Sequence, residues 1–219
     1  MLSLRLDEAA SDGQLTILAL GAHADDIEIG CGGTILRLAE LAPAAHVHWV
    51  VLSGGAERAA EARASATDFL SGFASSNVVV EGFRDGFFPY TGAGVKDFFE
   101  GLKAELSPDL ILTHQRADLH QDHRLTCELT WNTFRDHLIL EYEVPKYDGD
   151  FGSPNLFVHV SEELAERKVR TILARFSSQH DRQWFTEDLF HAALRLRGME
   201  SNSPSGRAEG FYCRKLVLS

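Results

Sequence analysis

Apolar positions in this chain fall either in short unbroken runs or in stripes of helical spacing, and the two kinds alternate. Residues 15–20 (LTILAL) form an unbroken run that stops at Gly21, which predicts a strand buried on both faces. Gly30, Gly32 and Gly33 follow, and the spacing predicts a helix over 34–41 with Thr34 as its N-cap. A second strand is predicted at 46–52, stopped by Gly54 and Gly55, and an Ala-rich helix at 57–73 with Ala62, Ala66, Phe69 and Leu70 near one stripe. A third strand is expected at 77–83, a helix at 95–106, and a strand at 109–113 after Pro108. Further on come a helix at 122–134, strands at 138–144 and 156–160, helices at 161–176 and 184–197, and a last strand at 211–218. Strand alternating with helix over the first half argues for a doubly wound α/β layer structure. Without repeats, low-complexity tracts or a long linker, residues 1–219 are expected to form a single domain.

Composition narrows the partners. The net charge is −11, with 32 acidic against 21 basic side chains. Such a balance disfavours nucleic acid or an anionic membrane as the main partner, since both need clustered Lys and Arg. Cys31, Cys127 and Cys213 show no CxxC spacing, so a reducing, cytoplasmic setting is expected. Residues 1–14 lack the basic and apolar regions of a signal peptide, and no apolar run is long enough to span a bilayer.

Two polar clusters change the picture from fold to chemistry. Gly21-Ala22-His23-Ala24-Asp25-Asp26-Ile27-Glu28 crowds one imidazole and three carboxylates just past the first strand, at the edge where open α/β sheets bind ligands. Four ionisable groups there are a poor choice for packing, and a divalent metal would relieve the repulsion between Asp25 and Asp26. His114, Asp118, His120, Asp122 and His123 follow the fourth strand and should lie on the same edge. Together the clusters can supply a His/Asp/His site with a fourth position open, leaving Asp25 as a general base.

The segments HADDIEIGCGGTI and HQDH, with the late stretch SNSPSG-x-AE-x-F, resemble the PIG-L (LmbE-like) zinc de-N-acetylases. The resemblance implies a Rossmann-like, mostly parallel sheet flanked by helices, with the metal site at the C-terminal strand edge. It implies a metal-dependent hydrolase that removes the acetyl group from an N-acetylated amino sugar or sugar conjugate. His23, Asp26 and His123 would hold the metal, and Asp25 would be the base that activates its water. His120 would stabilise the oxyanion or protonate the leaving amine, with Asp122 orienting it. Arg58 and Asp85 match positions that bind the sugar. Zn2+ is the implied metal, although a two-His, one-carboxylate set also suits Fe2+. The implied partner is a small amino-sugar molecule, and relatives often form homo-oligomers. This chain departs from the family in one respect, carrying Ala24 where proline is usual, which loosens the loop without removing a ligand.

Other readings compete less well. The Gly30–Gly33 run lacks the GxGxxG spacing of a dinucleotide site and reads better as letting backbone pass close to the metal loop. No GxSxG elbow is present. His46, His48, His137, His159, His180 and His191 read as structural or exposed, and His114 as a group behind the site. The remaining alternatives are an amidase of the same fold that cleaves a larger acyl group, and a catalytically silent metal- or sugar-binding protein.

Overall fold

A computed structural model describes residues 15–217. The N-terminal segment 1–14, read above as no signal peptide, and the last residue of the predicted final strand lie outside the described residues. Seven strands form one sheet in the order β3-β2-β1-β4-β5-β7-β6. They are β1 (Thr16–His23), β2 (His46–Ser53), β3 (Ser75–Val80), β4 (Leu110–His114), β5 (Leu138–Tyr142), β6 (Leu156–His159) and β7 (Ala208–Cys213). Strands β1 to β5 pair in parallel, and β7 runs antiparallel between β5 and β6.

The unbroken apolar runs are explained by burial on both faces. Ile17 and Ala19 of β1 join Val47, Trp49 and Val51 of β2 in one core. Their neighbours Leu18, Leu20, Val50 and Leu52 point the other way into a second core. Helices α1 (Asp26–Leu41), α2 (Ala56–Leu70), α5 (Glu162–Arg175) and α6 (Glu187–Glu200) pack together over the first core. Helices α3 (Gly92–Glu105) and α4 (Gln121–Thr133) cover the second. Among the described residues no helix is long and apolar enough to cross a membrane.

Several predicted boundaries move, each for a local reason. Helix α1 begins at Asp26 rather than Thr34, and Thr34 lies inside it. Its first turn holds Asp26 and Glu28, which suit the positive end of a helix, while Cys31 (φ −143°) breaks the helical path before Thr34. Strand β3 starts two residues early and ends at Val80, since Gly82 only bridges back to Ser53. Helix α6 starts at Glu187, where the Thr186 side chain accepts the Leu189 amide, so Trp184 and Phe185 precede it. Strand β7 begins at Ala208, three residues before expectation, to pair with β6.

The strand order reverses between β1 and β4, because the chain leaves β1 towards β2 and returns to β4 on its other side. Ligands bind open α/β sheets at such a switch point, beyond the carboxyl ends of the strands. Both polar clusters of the sequence leave the sheet there.

Candidate active site

His23 ends β1 opposite Ser53. Two residues on, Asp25 takes a left-handed conformation (φ 103°) as it caps α1, a region that costs a side-chain-bearing residue about 1–3 kcal/mol and is frequent at functional sites. Arg58 of α2 steadies this turn, donating to the Ala24 carbonyl and pairing with Asp25 at 3.1 Å. Asp26 then opens the helix, with its Oδ2 accepting the His23 amide at 2.6 Å. On the second loop, His120 caps α4 by accepting the Asp122 amide on Nδ1 at 3.3 Å, and His123 follows in the first turn.

Three donors converge. His23 Nδ1 lies 3.2 Å from His123 Nε2, and the Asp26 carboxylate lies 3.4 Å from each. Ligands about 2.0–2.1 Å from a tetrahedral ion stand roughly 3.3–3.4 Å from one another, so the two imidazole nitrogens have the spacing of two corners around a divalent cation, with Asp26 turning Oδ2 to His23 and Oδ1 to His123. Each ring is also backed by a carboxylate on its far nitrogen. His123 Nδ1 meets Asp118 at 2.9 Å, and His23 Nε2 meets Asp122 at 3.2 Å. Such backing orients metal-binding imidazoles and fixes their tautomer.

The charges are tuned by burial and by one another. Burial opposes charge on His23, yet hydrogen bonds to Asp122, Asp26 and Asp85 raise its pKa well above the ordinary value. Burial and then repulsion from His114 lower His123 to about 4, leaving it neutral and able to ligate. Asp26 is buried, which favours the neutral acid, but His123 and His114 hold it well below the usual carboxylate range. Burial pushes Asp25 up to about 7 against the opposing pull of Arg58. Burial and the neighbouring His23 lower His120.

The structure brings the remaining predicted residues to this edge with altered partners. The buried Asp122 carboxylate accepts the Gly86 and Phe88 amides (2.6 and 3.1 Å) and faces His23, whereas His120 meets only its backbone amide. The family resemblance implies that this carboxylate orients His120, whereas here it backs His23. Asp85 stands at the rim, 73% exposed, 3.1 Å from His23 Nε2. Arg58, offered by sequence to the sugar, lies between Asp25, Glu61 and Ser178 and over the Phe176 ring. His114 lies beneath the cluster, accepting the Ala22 amide at 3.0 Å and stacked on His123. The glycines of α1 make room for side chains rather than for the loop: a Cβ on Gly30 would strike the Tyr142 ring, and one on Gly32 would stand 2.7 Å from Phe69.

Asp118 was visible in the sequence but without a role. It binds His123, accepts the His120 amide at 2.8 Å, and is paired with Lys146 at 2.9 Å. Lys146 in turn meets Asp150 at 2.6 Å, and Asp150 accepts the Leu119 amide at 2.8 Å. Lys146 and Asp150 are four residues apart, but neither has a spacing that ties it to Asp118, which lies on another loop.

Fold and cluster together define a doubly wound α/β protein with a candidate divalent-metal centre at the switch point of its sheet. The family model described as PIG-L, GlcNAc-PI de-N-acetylase, matches residues 18–134, and the chain belongs to that family. No match is found among curated protein sequences. Solved structures share the fold. N,N'-diacetylchitobiose deacetylase from Pyrococcus horikoshii is 23% identical with a TM-score of 0.70, over 90% of this chain and 83% of that one. The zinc-inhibited form of teicoplanin deacetylase Orf2 is 16% identical with a TM-score of 0.70, over 90% and 97%. The 4-carboxy-2-hydroxymuconate hydratase GalB from Pseudomonas putida KT2440 is 16% identical with a TM-score of 0.74, over 94% and 98%. One fold thus carries a hydratase as well as deacetylases, and the reaction has to be argued from the site.

Proposed function

We propose that this chain is a zinc-dependent N-deacetylase that hydrolyses the acetamide of an N-acetylated amino sugar or sugar conjugate to acetate and an amine. The reading is carried by His23, Asp26 and His123, whose nearest donor atoms stand pairwise 3.2–3.4 Å apart, with Asp25 and His120 beside them. Two imidazoles and a carboxylate fit zinc with one position left open, and Fe2+ suits the same donors. Bound there, the cation would polarise the amide carbonyl and acidify a water. Family membership supports the reaction class. The deacetylase neighbours, named for N,N'-diacetylchitobiose and for teicoplanin, agree with a sugar-type substrate.

The chain's own residues divide the remaining work. Asp25 takes a proton from the attacking water and delivers it to the departing nitrogen, an amine too basic to leave unprotonated. Arg58 aims that carboxylate. His120 accepts the Asp122 amide on Nδ1, so the neutral ring carries its proton on Nε2 and donates it as a hydrogen bond to the oxyanion. That geometry favours oxyanion stabilisation over proton delivery by His120. Asp122 and Asp118 orient the two liganding imidazoles. At the rim, Asp85 and the exposed quarter of Arg58 are the groups available to sugar hydroxyls. The reading takes the chain as one domain acting on a small molecule in the cytoplasm, where its three free cysteines stay reduced.

The test is metal content of the purified protein together with acetate release from a panel of N-acetylglucosamine conjugates. Near-stoichiometric zinc with chelator-sensitive acetate release is expected. Bound metal with no acetate from any conjugate would favour an amidase for a larger acyl group or a silent binder. Absence of metal would overturn the reading.

A further inference from the structure

Helix α1 is two pieces. Its first turn carries Asp26 and is closed by the Ile29 amide donating to the Asp25 carbonyl at 2.9 Å, but Cys31 (φ −143°, ψ 17°) breaks the path after it. In an unbroken helix the Gly33 amide would bond the Ile29 carbonyl, and the Thr34 amide the Gly30 carbonyl. Here a buried ion pair from two distant elements stands in the gap. Glu209 of β7 accepts the Gly33 amide at 2.8 Å and the Thr34 amide at 2.6 Å. Lys168 of α5 donates to the Ile29 carbonyl at 2.7 Å and to Glu209 at 2.6 Å. The ammonium therefore sits on the carbonyl end of the first turn and the carboxylate on the amide end of the second piece. Both match the polarity of the helix they face. Gly33 is needed for the fit, since a Cβ there would stand 2.9 Å from Glu209 Oε1 and 3.0 Å from Val160.

An isolated helical turn has no stability of its own, so its direction is set by whatever holds its ends. One end of this turn is the left-handed Asp25, and the other is the Ile29 carbonyl in the grip of Lys168. We propose that Lys168 and Glu209 are positioning residues for the metal site: by replacing the missing rungs of α1 they fix the angle at which its first turn presents Asp26 to His23 and His123. This inference rests on the reading of Asp26 as a metal ligand. It assigns a purpose to a buried ion pair that is otherwise a poor stabiliser, because desolvating two charges offsets most of their attraction.

The test is zinc affinity of the metal-free protein, by competition with a chromophoric chelator, below the melting temperature of every variant used. Glu209→Gln and Lys168→Met are expected to weaken zinc roughly 10–100-fold while keeping wild-type circular dichroism. Gly33→Ala disturbs the same clasp without leaving a buried charge, and should weaken zinc in the same direction if either charge variant fails to fold. Arg197→Met is the control: it breaks the neighbouring buried pair with Glu143 (2.7 Å), whose hydrogen bonds go to Gly152, Glu200 and Tyr212 and not to α1, and should lower Tm with zinc affinity unchanged. Folded clasp variants that bind zinc within about twofold of wild type, with only Tm lowered, would overturn the inference. A wild type that binds no zinc would instead remove the proposed function and this inference with it.

Discussion

His23 Nδ1 and His123 Nε2 lie 3.2 Å apart although 100 residues separate them. With its pKa raised against burial by the carboxylates around it, His23 can put a proton between the two nitrogens, and a divalent cation would take that proton's place.

Asp118→Asn removes the carboxylate behind His123. Zinc affinity should fall roughly 10–100-fold, with acetate release recovering when zinc is supplied in excess. An unchanged dissociation constant would mean that Asp118 serves only its contacts with Lys146 and the His120 amide.

Asp25→Asn should leave metal content near wild type and lower turnover by about 10²–10⁴, the usual worth of a positioned base. The measurement pairs metal analysis with initial rates of acetate release. Wild-type turnover in the variant would take the base role away from Asp25.

For His120→Ala the expectation is retained zinc and a fall in kcat of about 10²–10³, with KM moved far less. Loss of zinc would instead point to His23, His120 and His123, whose donor atoms also lie within 4.8 Å of one another, as the ligand set.

Removal of the metal should abolish acetate release and lower thermal stability together. A ligand present at a hundred times its dissociation constant stabilises the native state by about 2.7 kcal/mol, so Tm should climb with added zinc. Equal melting curves with and without zinc would argue against a preformed site.

Gly30→Ala tests the contact between α1 and β5. The added methyl meets the ring of Tyr142, whose hydroxyl donates to the Leu20 carbonyl at 2.6 Å. Overpacking of this kind costs about 1–3 kcal/mol, which equilibrium unfolding in urea would register. A stability equal to wild type would show that Tyr142 can move aside.

Some of this protein was legible in its residues. Apolar runs such as 49–52 and 110–112 announced the strands, because a strand buried on both faces leaves no polar position to interrupt it. The polar clusters after β1 and β4 announced the site, because unpaired charges do not collect at the end of a buried strand without a purpose. The pairing of partners was another matter. Asp122 faces His23 instead of His120, Arg58 steadies Asp25, and the glycines of α1 clear space for Tyr142, Phe69 and Glu209. The Lys168–Glu209 clasp joins α5 and β7 to a gap in α1, and nothing in the spacing of those residues forecasts it. Local sequence determines which faces are apolar and where a helix or strand can start and stop. Which buried charge meets which is decided by the tertiary fold, since in a dry interior each must find the nearest opposite charge or free backbone group, wherever in the chain it originates.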